Sequence, residues 1–211
     1  MSIRIIASEE DIAEGVAWLS ARDARFADVV ARSGLPATRR AEGGLPGLLR
    51  IVTDQMVSLQ AGEAIWRRIE AALHPFDPPL IFKKRHATLM KLGLSGNKAR
   101  AFRAIAQAAH AGAFADLHER SDEDVLRALT AIAGIGPWTA DIYLLACLGR
   151  ADAWPSGDLA LQAAAADLFD LAERPNHKAM AAMAENWRPW RSVAARLLWA
   201  HYRHVRGMKQ A

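Results

Sequence analysis

Leu129-Thr-Ala-Ile-Ala-Gly-Ile-Gly-Pro-Trp-Thr-Ala140, followed eighteen residues later by Asp158, is the stretch around which the rest of the chain reads. Ser121 opens the segment as an expected N-cap, with Asp124 at the third helical position, a carboxylate version of the capping box. Val125, Leu126, Leu129 and Ile132 recur on one face of a helix. Gly134 and Gly136 break that helix, and Pro137 suits the first turn of a second one, from about Trp138 to Leu148. Local signals alone therefore predict helix, Gly-Ile-Gly turn, helix. Two glycines leave room for a phosphate to approach the backbone where N–H groups open the second helix. An ordinary helical corner has the same local signature.

The 211 residues can bury a sizeable core as one domain or two interlocked lobes. A hydrophobic content of 52% with 24% charged residues fits a globular chain. No apolar run is long enough to span a bilayer, and Met1 to Asp11 lacks a signal-peptide core, so an intracellular, cytoplasmic or nucleoid-associated protein is expected. The single cysteine, Cys147, excludes an internal disulfide, a cysteine-rich zinc site and a four-cysteine iron–sulfur cluster. It lies in an apolar stretch and reads as core. The net charge of +4 is unevenly placed. Lys83 to Arg103 holds seven basic residues and no acid, and Leu171 to Ala211 holds eight against Glu173 and Glu185. Clusters of this kind suit a polyanion, although solvated helix faces carry the same charge.

Along the chain, Met1 to Ile6 reads as a short extended lead-in. Ser8 caps a helix through Ile12, Val16 and Leu19, and a second helix covers Arg22 to Arg32 before Gly34 and Pro36. Ala37 to Gly44 is the candidate lobe boundary. Leu45 to Leu73 is broadly helical, with a break expected at Gly62. His74 to Pro79 is a loop, and short helices follow to the hairpin. Leu159 to Leu171 is strongly helical, and Pro189 suits the first turn of a last helix containing Leu197, Leu198, Trp199 and Tyr202. No strand pattern of useful length and no repeat occurs, so the fold class is all-α. The expected organisation is a central helical lobe, 44–150, and a second lobe from 1–43 plus 151–211, with a cleft between them.

Ala133 to Ala140 resembles the hairpin of the helix-hairpin-helix DNA glycosylases, and Trp154-Pro-Ser-Gly-Asp158 resembles the loop carrying their catalytic aspartate. Trp187-Arg-Pro-Trp-Arg-Ser192 resembles a C-terminal segment of the DNA-3-methyladenine glycosylase II branch. The resemblance runs from about Leu45 to Tyr202. It implies a monofunctional glycosylase of base excision repair that flips an alkylated purine (3-methyladenine or 7-methylguanine type) out of the duplex and leaves an abasic site. Asp158 would be catalytic; on spacing alone it reads first as an N-cap, and the two roles are compatible because the helix dipole favours an ionised carboxylate. Trp138 and Trp190 would line the base pocket, with Ile142 and Leu159 where relatives carry aromatic residues. Met56, next to Gln55, would wedge into the duplex, although a core methionine is the ordinary reading. Gly134, Ile135, Gly136, Thr139 and Lys98 would contact phosphates.

Strand-cutting relatives carry a lysine where this chain has Trp138, so no lyase step is expected. Larger relatives carry an additional N-terminal α/β domain; the compact helical form is expected here. No cofactor is required by this reading, and a monovalent or divalent cation at hairpin carbonyls near Ile132 and Gly134 is left open. His201 and His204 stand three apart on a helix, but without grouped carboxylates or cysteines no metal is expected there. The implied partner is double-stranded DNA with a damaged base, bound by a monomer. A glycosylase for other damaged bases and a non-catalytic DNA-binding module are the alternatives.

Overall fold

The computed structural model describes residues 3–207. Twelve α-helices occur in this range: α1 (Glu9–Ser20), α2 (Ala24–Ser33), α3 (Gly44–Asp54), α4 (Leu59–Leu73), α5 (Pro78–Phe82), α6 (His86–Lys91), α7 (Gly96–His110), α8 (Asp122–Thr130), α9 (Pro137–Ile142), α10 (Leu159–Leu168), α11 (His177–Ala184) and α12 (Arg191–Val205). A π-helical segment, Tyr143–Cys147, continues α9, and a 3-10 turn, Glu185–Trp187, precedes α12. Among the described residues no strand forms; the extended lead-in makes one isolated antiparallel bridge, Ile5 to Arg150. The protein is all-α.

Helix starts follow their capping chemistry. Ser8, Asp23, Ser58, Ser95, Ser121, Asp158 and Asn176 each accept a backbone N–H from the first turn that they precede. At α1, Asp11 also returns to the Ala7 and Ser8 N–H groups, which hold its carboxyl below the ordinary value. This satisfies donors that a helix start leaves without intrahelical acceptors.

The chain forms two compact units, one of them Ala41–Tyr143 and the other made of the segments that precede and follow it in sequence. In the central unit α7 is the hub, packing on α3, α5 and α6 through the buried Ala99, Phe102, Ile105 and Ala106. The crossover falls at Tyr143, earlier than the expected end at 150, for a hydrogen-bonding reason. The Leu144 carbonyl accepts from Arg150 N–H, that of Leu145 from Arg196, and that of Cys147 from Arg40, all in the terminal unit. Cys147 is buried, as its apolar stretch suggests.

Two further boundaries differ from the sequence reading. Gly62 is not a break; it is buried inside α4, and the break lies at Gln55–Ser58. A Cβ on Gly62 would run into the carboxylate of Asp54 and sit 3.5 Å from Val57 Cγ2, so this glycine lets α4 close against the preceding loop. The last helix starts at Arg191 rather than in a turn led by Pro189.

In the terminal unit α12 packs on α1, α2 and α10 and buries Val193, Ala194, Ala195, Leu197 and Leu198. Arg196 is buried with them and donates to the Thr38, Ser192 and Leu145 carbonyls; burial, with Arg40 nearby, lowers its pKa to about 10. Gly15 of α1 permits this packing, because a Cβ there would lie 2.7 Å from Val193 and 2.8 Å from the Trp190 ring. Gly15→Ala is therefore expected to lower unfolding free energy by about 1–3 kcal/mol. Urea denaturation should read this as a lower midpoint at unchanged slope.

Candidate active site

The hairpin begins at the Ser121 cap, where the hydroxyl oxygen accepts the Asp124 N–H at 3.1 Å and its proton goes to the Asp124 carboxylate at 2.8 Å. That hydroxyl is the main reason the Asp124 carboxyl sits below its ordinary value. α8 and α9 pack on each other across the turn, which the Ile135 N–H to Ile132 carbonyl bond closes at 3.0 Å. The two glycines do different work. Gly134 has φ +90°, and a Cβ there would lie 2.7 Å from the Ala101 Cβ of α7, so both backbone and space demand glycine. Gly136 has φ −96° and caps α9 with its backbone; a Cβ on it would meet nothing within 4 Å. The protein itself does not require a glycine at 136, and that backbone is open to an external group. Pro137 takes the first helical position as expected.

The segment from α3 to α4 lies in the same unit. Met56 is 93% exposed with φ +53°, which excludes the reading as a core methionine. Gln55, placed with Met56 by the sequence reading, turns inward instead, and its amide donates to the Thr139 hydroxyl at 2.7 Å. Thr139 is correspondingly buried at 2% exposure, so its side chain secures α9 to the end of α3 and does not face outward. Lys98, expected at a phosphate, is committed elsewhere: its ammonium donates to the Thr53 carbonyl at 2.9 Å and to the Gln55 carbonyl at 2.7 Å. Burial lowers its pKa, against an opposing pull from Asp54. Ile135 is buried within the turn, while Trp138 and Ile142 are half-buried on α9.

In the terminal unit Asp158 is the N-cap of α10. Its Oδ1 accepts the Ala160 and Leu161 N–H groups, each at 2.9 Å, and the Trp199 indole N–H at 3.3 Å. Leu159, the next residue, is 55% exposed. Trp190, expected to line the base pocket, is enclosed. It is 2% exposed in the core, with the Gly15 backbone against its ring and the Arg4 guanidinium 4.5 Å from its centroid. Trp199 does place an indole at the acid, and the sequence reading missed it. A helical signal was present, because nine residues at about 100° per residue turn Trp190 and Trp199 to opposite sides.

The Trp187–Ser192 string has a structural role beneath the acid. Arg191 forks onto Asp152 at 2.9 and 3.0 Å, and Arg188 pairs with the same carboxylate. The Ser192 hydroxyl lies 2.6 and 2.9 Å from the Arg150 and Ala153 carbonyls. Trp154 donates its indole N–H to the Met180 carbonyl and packs edge-on to Trp187. These bonds fix the loop that delivers Asp158 to α10.

His201 is held by Asp167 across α10 and α12 at 2.5 Å, so a carboxylate does stand beside it. No group of three or more metal-ligating side chains forms among the described residues. None of their helices is long and apolar enough to cross a membrane.

No family model matches the chain. It is 29% identical over 158 residues to DNA-3-methyladenine glycosylase 1 of Schizosaccharomyces pombe, a match covering 72% of this chain and 69% of that one. A Bacillus subtilis relative is 39% identical over 84 residues, but only 29% of its length is matched. Among solved structures, the 3-methyladenine DNA glycosylase Mag1 of S. pombe in complex with abasic DNA has a TM-score of 0.83 at 24% identity, covering 94% of this chain and all of that one. The DNA-3-methyladenine glycosidase of Bacillus halodurans has a TM-score of 0.76 at 25% identity over 98% of this chain and 95% of that one.

The contrast between the hairpin glycines predicts that Gly134→Ala destabilises the protein by about 1–3 kcal/mol. Gly136→Ala should leave the unfolding free energy within about 0.5 kcal/mol of wild type. Equal effects in a thermal melt would contradict the assigned division of roles.

Proposed function

We propose that this chain is a helix-hairpin-helix DNA glycosylase that hydrolyses the N-glycosidic bond of alkylated purines in double-stranded DNA and leaves an abasic site. The observation that carries this reading is the Asp158 carboxylate, held through one oxygen by a helix N-terminus and by the Trp199 indole. Breaking the bond builds positive charge on the sugar, and a fixed carboxylate lowers the energy of that oxocarbenium-like state. The base departs with the bonding electron pair, water adds to the sugar carbon, and the proton of that water is released.

A purine alkylated on N3 or N7 already carries positive charge and needs no separate acid to leave. Its cationic ring also stacks well on indole, which gives Trp199 a part in selecting it. Extruding the base costs roughly a few kcal/mol, less at a damaged pair. The exposed Met56 suits the space that the base vacates. The backbone at Gly134 and Gly136 suits a phosphate, and a cation at the Ile132 and Gly134 carbonyls would add positive charge beside it. Ile132 already accepts one hydrogen bond, and a carbonyl oxygen has a second lone pair. With Trp138 where a Schiff-base lysine would stand, the strand is left intact. We place the reaction inside the cell and assign it to a monomer.

Asp158→Asn tests the chemistry apart from the fold. Asn176 already caps α11 with the same two-donor geometry, so asparagine at 158 should preserve the melting temperature. Excision of 3-methyladenine and 7-methylguanine should fall by about 10²-fold or more while DNA binding persists. Full activity in this variant would overturn the assignment and leave a DNA-binding module. Parallel assays on 8-oxoguanine and uracil duplexes separate the base classes, and wild-type product should show breaks only after alkali. Binding should weaken steeply between 50 and 200 mM salt, by on the order of 10³-fold if about six phosphates are contacted.

A further inference from the structure

We propose that Lys98 is a positioning residue for Met56: its ammonium locks the end of α3 so that the exposed side chain is presented in one fixed direction. The inference rests on the glycosylase reading, with Met56 as the group that enters the duplex. A methionine side chain is flexible, so any stiffness of such a wedge has to come from its backbone. That backbone is in the left-handed region at φ +53°, which a side-chain-bearing residue rarely adopts without external support.

The support converges from several sides of one unit. The Gln55 carbonyl and the Met56 N–H share one rigid peptide plane, so a donor 2.7 Å from that carbonyl fixes the plane from which Met56 projects. The same ammonium reaches the Thr53 carbonyl at 2.9 Å, filling an acceptor that the end of a helix leaves open. Its positive charge also sits at the negative end of the α3 dipole. The Gln55 side chain is tied to Thr139 of the hairpin at 2.7 Å. On the other flank Ser58 caps α4, and Gly62 lets that helix close on Asp54 and Val57. Lys98 itself is anchored at the capped start of α7, the hub of the unit. The expected phosphate contact is thus replaced by an internal one.

The experiment uses the full chain and DNA carrying 2-aminopurine beside a lesion, whose fluorescence rises when stacking is broken. Lys98→Met, Met56→Ala and the double variant are compared on a fully paired duplex and on one where the lesion lies opposite a gap. On the paired duplex each single variant should lose the fluorescence rise and excise about 10- to 100-fold more slowly. On the gapped duplex, where nothing has to be displaced, rates should stay near wild type. The double variant should be no slower than the slower single, because both act through one side chain. Lys98→Gln, which keeps N–H donors on a shorter stem, should fall between, and melting curves check that each variant is folded.

The inference is overturned if Met56→Ala loses the signal while Lys98→Met keeps it, if the two effects multiply, or if gapped DNA is slowed equally. The fluorescence arm reads the wedge whether or not a base is released, so absence of excision in the wild type would count against the glycosylase reading alone.

Discussion

One oxygen atom, Oδ1 of Asp158, sets the terms for the terminal unit. It closes the N-terminus of α10 with two backbone N–H groups and takes a third donor from Trp199 of α12. A side chain bound in this way cannot swing as a free carboxylate would. The capping bonds and the proposed chemistry ask for the same arrangement, a negative group held against a helix start. Helix α10 is held on α12, so the acid and the indole keep their relation only while those two helices remain packed.

That requirement explains the density of bonds around the preceding loop. Asp152 gathers Arg188 and Arg191, Ser192 reaches two carbonyls of the loop, and Trp154 is tied to Met180. The tryptophan–arginine string is therefore a frame for the acid. Its second tryptophan, Trp190, fills the core against Gly15. The connection ahead of the central unit is fixed by arginines on carbonyls rather than carboxylates: Arg40 on Ile6 and Cys147, Arg196 on Thr38 and Leu145. A guanidinium offers five donors, which suits the collection of carbonyl ends that a broken π-helical segment leaves behind.

The central unit shows how a motif residue can serve the fold, an external partner, or neither directly. Gly134 answers to Ala101, whereas Gly136 has space around its missing Cβ. Thr139 and Gln55 are spent on each other, and Lys98 on two carbonyls. What remains exposed is the hairpin backbone and Met56.

Much of this was legible from residue order. Helix class, the caps at Ser8, Ser121 and Asp158, the first-turn Pro137 and the glycine turn are local, because each depends on side chains within a few positions of the backbone they bond. The resemblance to the helix-hairpin-helix DNA glycosylases around Ala133–Ala140 and Asp158 was legible for the same reason, since those motifs are contiguous. Partnerships across long separations were not legible: Trp199 at Asp158, Lys98 on Gln55 across 43 residues, and Gln55 on Thr139 across 84. Nor was the interior place of Gly62, whose neighbour Asp54 comes from another helix. Local hydrogen bonding determines where helices begin and end; which face of a helix meets which neighbour is settled only when the buried side chains find a common packing.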